Sequence, residues 1–175
     1  MATIITHPLV PVAVAYLIGR DKIPPRLLIA ACIVSILPDL DIIAFRFGIP
    51  YGDPFGHRGF SHSLAFAAMV GLIGVCFRHY FKASISIIFT MLFIGSASHG
   101  VLDALTDGGQ GVAFFWPFNN ERYFFPVRPI EVSPIGLRNF LTPRGMTVLW
   151  SEFILIWIPT FLFLIGISIT RKKKT

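Results

Sequence analysis

The chain has 175 residues, of which 54% are hydrophobic and only 14% charged, with a mean hydropathy of +0.72. That balance excludes an ordinary soluble enzyme and fits one all-α, polytopic membrane domain over residues 1–175. The net charge of +6 is not gathered in a basic domain, so a nucleic-acid-binding module is excluded as well.

Five apolar stretches follow in order, at residues 3–19, 25–47, 60–77, 84–105 and 146–170. Each has roughly the 17 to 25 residues that a bilayer crossing requires. The first carries His7, Pro8 and Pro11, and because Arg20 follows it instead of preceding it, a cleaved signal peptide is not expected. Pro38 interrupts the second, and Pro159 predicts a kink in the fifth. Residues 106–145 are rich in Phe, Trp, Pro, Gly and Arg without a helical or strand period. They read as an extracytoplasmic aromatic segment at the membrane interface. Cys32 and Cys76 lie inside apolar runs and predict neither a disulfide nor a thiolate metal site.

Orientation follows from the basic residues. Arg20, Lys22 and Arg26, then Arg78 and Lys82, then the tail from Arg171 to Lys174 are all expected on the cytoplasmic side. The amino terminus, the loop at 48–59 and segment 106–145 are then outside. Counted from the nearest of these basic residues, His7, Asp39, Asp41, His62, His99, Glu152 and Asp103 lie between 13 and 21 positions along their spans. At about 1.5 Å per residue that is roughly 20 to 32 Å above the inner boundary of a core about 30 Å thick. All five spans thus place a titratable group at one level, where an uncompensated charge costs on the order of 2.5 to 3.5 kcal/mol.

The central motif is SASHGVLDALTDGG at 96–109. His99 and Asp103 are four apart, hence on one helical face, and suit a shared metal ion. In LPDLD, Asp39 and Asp41 would face about 200° apart on a regular helix, so one is a ligand and the other orients a ligand unless Pro38 breaks the helix; Asp39 is preferred as the ligand. In HRGFSHS, His62 at a helix start is the better ligand, while His57 in a glycine-flanked loop either binds metal or touches substrate. Ser61 is expected to cap the third helix. Glu152 has three readings, as a ligand, a general base or a partner for an outer arginine, and the sequence does not choose among them. His79, beside Arg78, is expected to play no part.

Imidazoles and carboxylates together suit Zn²⁺, or Mn²⁺ and Fe²⁺ at the harder end. An ion held with an open position lowers the pKa of water and polarises a phosphoryl or carbonyl oxygen, and Asp41 or Glu152 is then suited to take the proton. Arg58, Arg128, Arg138 and Arg144 are candidates to hold phosphate oxygens or to anchor at the interface. The competing class is a small metal-ion or proton-coupled transporter, since intramembrane acids and histidines also mark ion routes. Against it, no polar trail continues toward the cytoplasmic side. An intramembrane metalloprotease would need a His-Glu-x-x-His helix, which is absent.

The set LPDLD, HRGFSHS and HGVLDALTDGG, after an early His-Pro, resembles the bacterial inner-membrane, LexA-regulated family of membrane-bound metal-dependent hydrolases. The resemblance runs across nearly the whole chain. The family is in turn similar in motif order to the zinc-dependent phospholipase C and single-strand nuclease group, with an early His, an Asp, a His and then His-x-x-x-Asp on a helix. What the resemblance implies is a metal set of His7, Asp39, His62, His99 and Asp103, holding one or two ions. Asp41, His57 and Glu152 stand beside it as catalytic candidates. It further implies a protein of the bacterial inner membrane and a phosphoester as the bond cleaved; with the orientation and depth read above, the multi-pass chain has its site facing the extracytoplasmic side, where it meets membrane lipid and a lipid or lipid-linked phosphate is the expected substrate.

Overall fold

The computed structural model describes residues 1–134 and 136–172; Lys173 and Lys174 of the basic tail lie outside the described residues. Among the described residues the protein is helical, with no strand and only two isolated bridges, Thr106 to Ile130 and Val112 to Tyr123. Helices α1 (Leu9–Ile18) and α2 (Pro25–Val34) lead into a 3-10 run at Leu37–Phe47, followed by α3 (Leu64–Cys76), α4 (Arg78–Phe81) and α5 (Ile85–Ala104). After the aromatic segment come α6 (Leu137–Phe140), α7 (Pro143–Glu152), a π turn at Phe153–Trp157 and α8 (Ile158–Lys172).

Local chemistry accounts for the boundaries. Pro25 and Pro143 open α2 and α7, where a missing N–H costs nothing. Ser84 Oγ accepts from the Ile87 N–H to start α5. The cap of α3 is Ser63, whose Oγ accepts from the Phe66 N–H at 3.0 Å. Ser61 does not cap that helix, because its hydroxyl is turned toward Asp41. The π turn sits just before Pro159, where an α-helix would press the proline ring on the Leu155 carbonyl. An i→i+5 bond from the Ile158 N–H to the Phe153 carbonyl widens the turn there.

Three continuous helical stretches, Pro25–Phe47, Ile85–Ala104 and Pro143–Arg171, are long and apolar enough to cross a membrane, whereas α1 and α3 are shorter apolar helices of 10 and 13 residues. At about 1.5 Å per residue those two rise roughly 15 and 20 Å, short of a core about 30 Å thick. The remainder of the stretches predicted at 3–19 and 60–77 is turns and short 3-10 helix, and it carries His7 and His62. Irregular backbone at membrane depth is tolerated where protein buries it, and here Thr3, Thr6, His7, His62 and Ser63 are buried while Ile4 and Ile5 turn outward.

Helix α5 is the axis. It packs against α1, α2 and α3, and its first half lies in an apolar core of Leu27, Ala31, Ile88, Met91 and Leu92. Its second half buries Ser96, His99, Gly100 and Asp103. Glycine brings this half close to its neighbours: a Cβ at Gly95 would stand 2.8 Å from the Ala31 carbonyl oxygen of α2, and one at Gly100 2.9 Å from that of His62. The outer face of the bundle is apolar, with Ile29, Leu72, Phe163 and Leu162 all exposed. Polar groups inside and apolar groups outside are what a lipid solvent selects.

Candidate metal centre

The site begins at the break in the second stretch. In a 3-10 run the Pro38 nitrogen would bond the Ser35 carbonyl, but proline has no N–H to give. That carbonyl instead accepts from His99 Nδ1 of α5 at 2.7 Å. With its Nδ1 proton so committed, His99 presents Nε2 as the free ring nitrogen. It lies 3.2 Å from Asp39 Oδ1 and 4.0 Å from Asp103 Oδ2.

His62 is set by a second device. Its Nδ1 lies 3.2 Å from Asp41 Oδ2 and 3.0 Å from Ser61 Oγ, and Ser61 itself donates to Asp41 at 2.6 Å. Asp41 also accepts from His57 Nδ1 at 2.6 Å and from the Arg58 N–H at 3.2 Å. One carboxylate therefore ties the whole HRGFSH loop together and turns His62 Nε2 toward Asp103 Oδ2, 3.6 Å away.

Asp39, His62, His99 and Asp103 form a group whose candidate ligand atoms all lie within 4.8 Å of one another, and all four are buried. His7 stands against it, its ring stacked on His99 at 3.8 Å and its Nε2 3.9 Å from Asp103 Oδ1. The structure thus gathers all five residues of the expected metal set, with four as one group and His7 alongside. A second group, Asp41, His57 and His62, shares His62. Its ring Nδ1 atoms already face the Asp41 carboxylate within hydrogen-bonding distance, so protons account for it without an ion.

The donors of the main group fit a divalent ion. His99 Nε2, His62 Nε2, both Asp39 oxygens and both His7 nitrogens are buried without a hydrogen-bond partner. A lone pair facing a carboxylate oxygen at 3.2 Å is acceptor against acceptor, which a low-dielectric interior penalises unless a cation lies between them. The separations of 3.2, 3.6 and 4.0 Å are close to the roughly 3.3 Å edge of a tetrahedron with bonds of about 2.0 to 2.1 Å. Charge agrees: the carboxylates of Asp39, Asp41 and Asp103 outnumber the Arg58 guanidinium and the Met1 ammonium beside Asp103, and a bound cation offsets the excess.

Arg58 departs from expectation. It is wholly buried at φ 63°, with Nε 3.1 Å from Asp103 Oδ2, Nη1 donating to the Gly108 carbonyl at 2.8 Å and Nη2 to Thr106 Oγ1 at 3.0 Å. It orients Asp103 and has no face left for a phosphate. Arg144 pairs with Glu131 at 2.6 Å and Arg128 lies over the Phe124 ring. Arg122, which the sequence did not single out, donates to the carbonyls of Tyr51, Asp53 and His57 and so closes the 48–59 loop. Burial pushes the Tyr51 hydroxyl up and the Arg122 guanidinium down from their ordinary values.

Glu152 stands outside the four-residue group, and among the described residues it pairs with no arginine. Its carboxylate accepts from the Thr3 N–H at 2.5 Å, the Thr3 hydroxyl, and the Thr6 hydroxyl at 2.6 Å. The neighbouring Ala2 N–H donates to Asp103 Oδ1 at 2.8 Å. The amino-terminal residues therefore bridge Glu152 to the centre. Nothing in the sequence flagged Thr3 and Thr6, although two threonines beside His7 in an apolar run were a usable signal. Cys32 and Cys76 are free and take no part.

This architecture defines a class: a helical membrane protein that turns histidines and carboxylates inward from several helices to one point. A family model described as YdjM inner membrane protein matches residues 1–174. The curated Inner membrane protein YbcI of Escherichia coli (strain K12) is 43% identical over 174 residues, covering 99% of this chain and 100% of that protein. The chain belongs to the YdjM inner membrane protein family. No solved structure is recognisably similar to it.

Proposed function

We propose that the protein is a metal-dependent hydrolase that cleaves a phosphoester of a lipid or lipid-linked substrate at the outer leaflet. The observation that carries this reading is the placement of His99, whose Nδ1 faces the Ser35 carbonyl while its Nε2 faces Asp39 Oδ1 at 3.2 Å without a hydrogen bond. A divalent ion, Zn²⁺ or a harder ion such as Mn²⁺ or Fe²⁺, supplies a Lewis acid and lowers the pKa of water toward neutrality. Asp39, His62, His99 and Asp103 would hold it, with His7 as a further donor. Asp41 positions His62 and the loop, and its oxygens are occupied by His57, Ser61 and the Arg58 N–H. Asp39 has both oxygens free of hydrogen bonds, so one is available to the ion and the other to the proton of an attacking water. The choice of a phosphoester rests on the resemblance in motif order to phosphoester-cleaving enzymes.

The test gives metal-loaded protein in liposomes a panel of phospholipids and lipid-linked phosphates, with His99→Ala as control. Metal-dependent release of water-soluble phosphate compounds is expected, and the variant should lose it. Cleavage confined to acyl esters or peptide bonds would reject the phosphoester. Metal flux without cleavage would reject the hydrolase in favour of a transporter.

A further inference from the structure

Of the groups that form the centre, His62, His99 and Asp103 have fully enclosed side chains, while Asp39 keeps 7% exposure. The way in from outside therefore runs past Asp39. It opens on a groove of about 270 Å³ between the amino-terminal residues and the α2 to 3-10 stretch, walled by Ile4, Ile33, Ile36, Leu40 and Ile42, with Asp39 and the amino-terminal Met1 as its charged residues. Ile4, Ile33 and Leu40 are more than half exposed, and Ile33 and Leu40 belong to the membrane-length stretch Pro25–Phe47, so the mouth faces hydrocarbon.

We infer that this groove holds one linear hydrocarbon chain of a membrane amphiphile and delivers its polar head to Asp39. The inference deepens the reading of the site as one that acts on a membrane amphiphile and rests on it. Size favours a slender occupant: pockets for whole drug-sized molecules run from about 300 to 1,000 Å³, so this groove suits one chain better than a whole lipid. Polarity selects its direction, because a hydrocarbon tail gains by lining apolar walls and the polar partners the groove offers are at Asp39 and Met1. Three larger grooves compete less well, and that of about 460 Å³ beside Leu141 and Met146 touches neither the centre nor the amino-terminal residues. That of about 430 Å³ beside Ser133, Pro134 and Phe140 reaches no residue of the centre. That of about 400 Å³ beside Trp150 and Trp157 reaches Glu152, whose oxygens are already taken by Thr3 and Thr6.

The experiment needs no turnover. Full-length, metal-loaded protein is reconstituted in phosphatidylcholine vesicles with a phosphatidic acid carrying a diazirine on one acyl chain, irradiated, and mapped by mass spectrometry. Adducts should concentrate on Ile4, Ile33, Ile36, Leu40 and Ile42. In Leu40→Trp, which fills an exposed wall position without touching the core, they should fall by roughly tenfold or more with metal content unchanged. Leu72→Trp, on the exposed face of α3, should leave them unaltered. Excess unlabelled phosphatidic acid should compete, and labelling that persists undiminished in its presence would overturn the groove. Adducts spread evenly over the exposed apolar surface, or unmoved by Leu40→Trp, would overturn the groove. Phosphate release is scored separately: groove adducts without it would keep the lipid site and reject the hydrolase, and release without groove adducts would do the reverse.

Discussion

At the scale of the residue, the centre depends on which nitrogen of each histidine is already spoken for. His99 Nδ1 is held by a backbone carbonyl and His62 Nδ1 by a carboxylate and a hydroxyl, so both rings present Nε2. Truncating a donor and truncating its holder should then differ. His99→Ala and Asp103→Ala should each abolish the divalent metal retained by purified protein, as read by elemental analysis. Asp41→Asn keeps the shape but removes the charged acceptor, and should weaken metal affinity by about 10- to 100-fold without abolishing binding, as read by chelator competition. Equal retention by all three folded variants would show that the ion, if any, is held elsewhere. The pairing of His99 with Asp103 was legible in the sequence because helical periodicity fixes it. The burial of Arg58 was not, since an arginine beside a histidine in a glycine-rich loop carries no mark of which way it turns. Only the fold shows that Asp103 claims it.

At the scale of the element, the second apolar stretch explains why both aspartates serve. On an α-helix their directions differ by about 160°, whereas at three residues per turn they differ by about 120°, enough for Asp39 to face α5 and Asp41 to face the HRGFSH loop. Pro38 was visible as a breaker; that it would tighten the helix instead of ending it was not, because that outcome depends on packing. Close approach of α5 to α2 is the other element-level requirement. Gly95→Leu should destabilise the protein in detergent by about 1 to 3 kcal/mol, because its side chain would meet the Ala31 backbone. Gly166→Leu, where a side chain meets nothing within 4 Å, should leave the thermal midpoint unchanged. If both variants melt alike, the α5 to α2 contact is not tight.

At the scale of the whole molecule, the inversion of polarity was the plainest feature of the sequence, and hydropathy alone located the helices. It overstated two of them, since α1 and α3 stop short and give way to turns where the site is built. Orientation is a prediction that belongs here. The amino terminus should lie outside and the basic carboxyl end inside, because Arg20, Lys22, Arg26, Arg78 and Lys82 share one side in the alternation. Reporter fusions after Lys22, at Gly109 and at the carboxyl end test it, and a tail reporter active outside would reverse the assigned face of the centre.

The partners of α5 have an order in time as well as in space. Among the described residues, the hydrogen bonds, ion pairs and ring contacts of the His99 and Asp103 side chains with other elements come from Met1, Ala2, His7, Ser35, Asp39, Arg58 and His62. Every one of these is synthesised before α5. When that helix leaves the ribosome with two titratable groups near one end, whatever compensates them has already been made and is waiting in the bilayer. The last membrane-length stretch, Pro143–Arg171, can arrive late, because it reaches the centre only through the bonds that Glu152 and Trp157 make to the amino-terminal threonines.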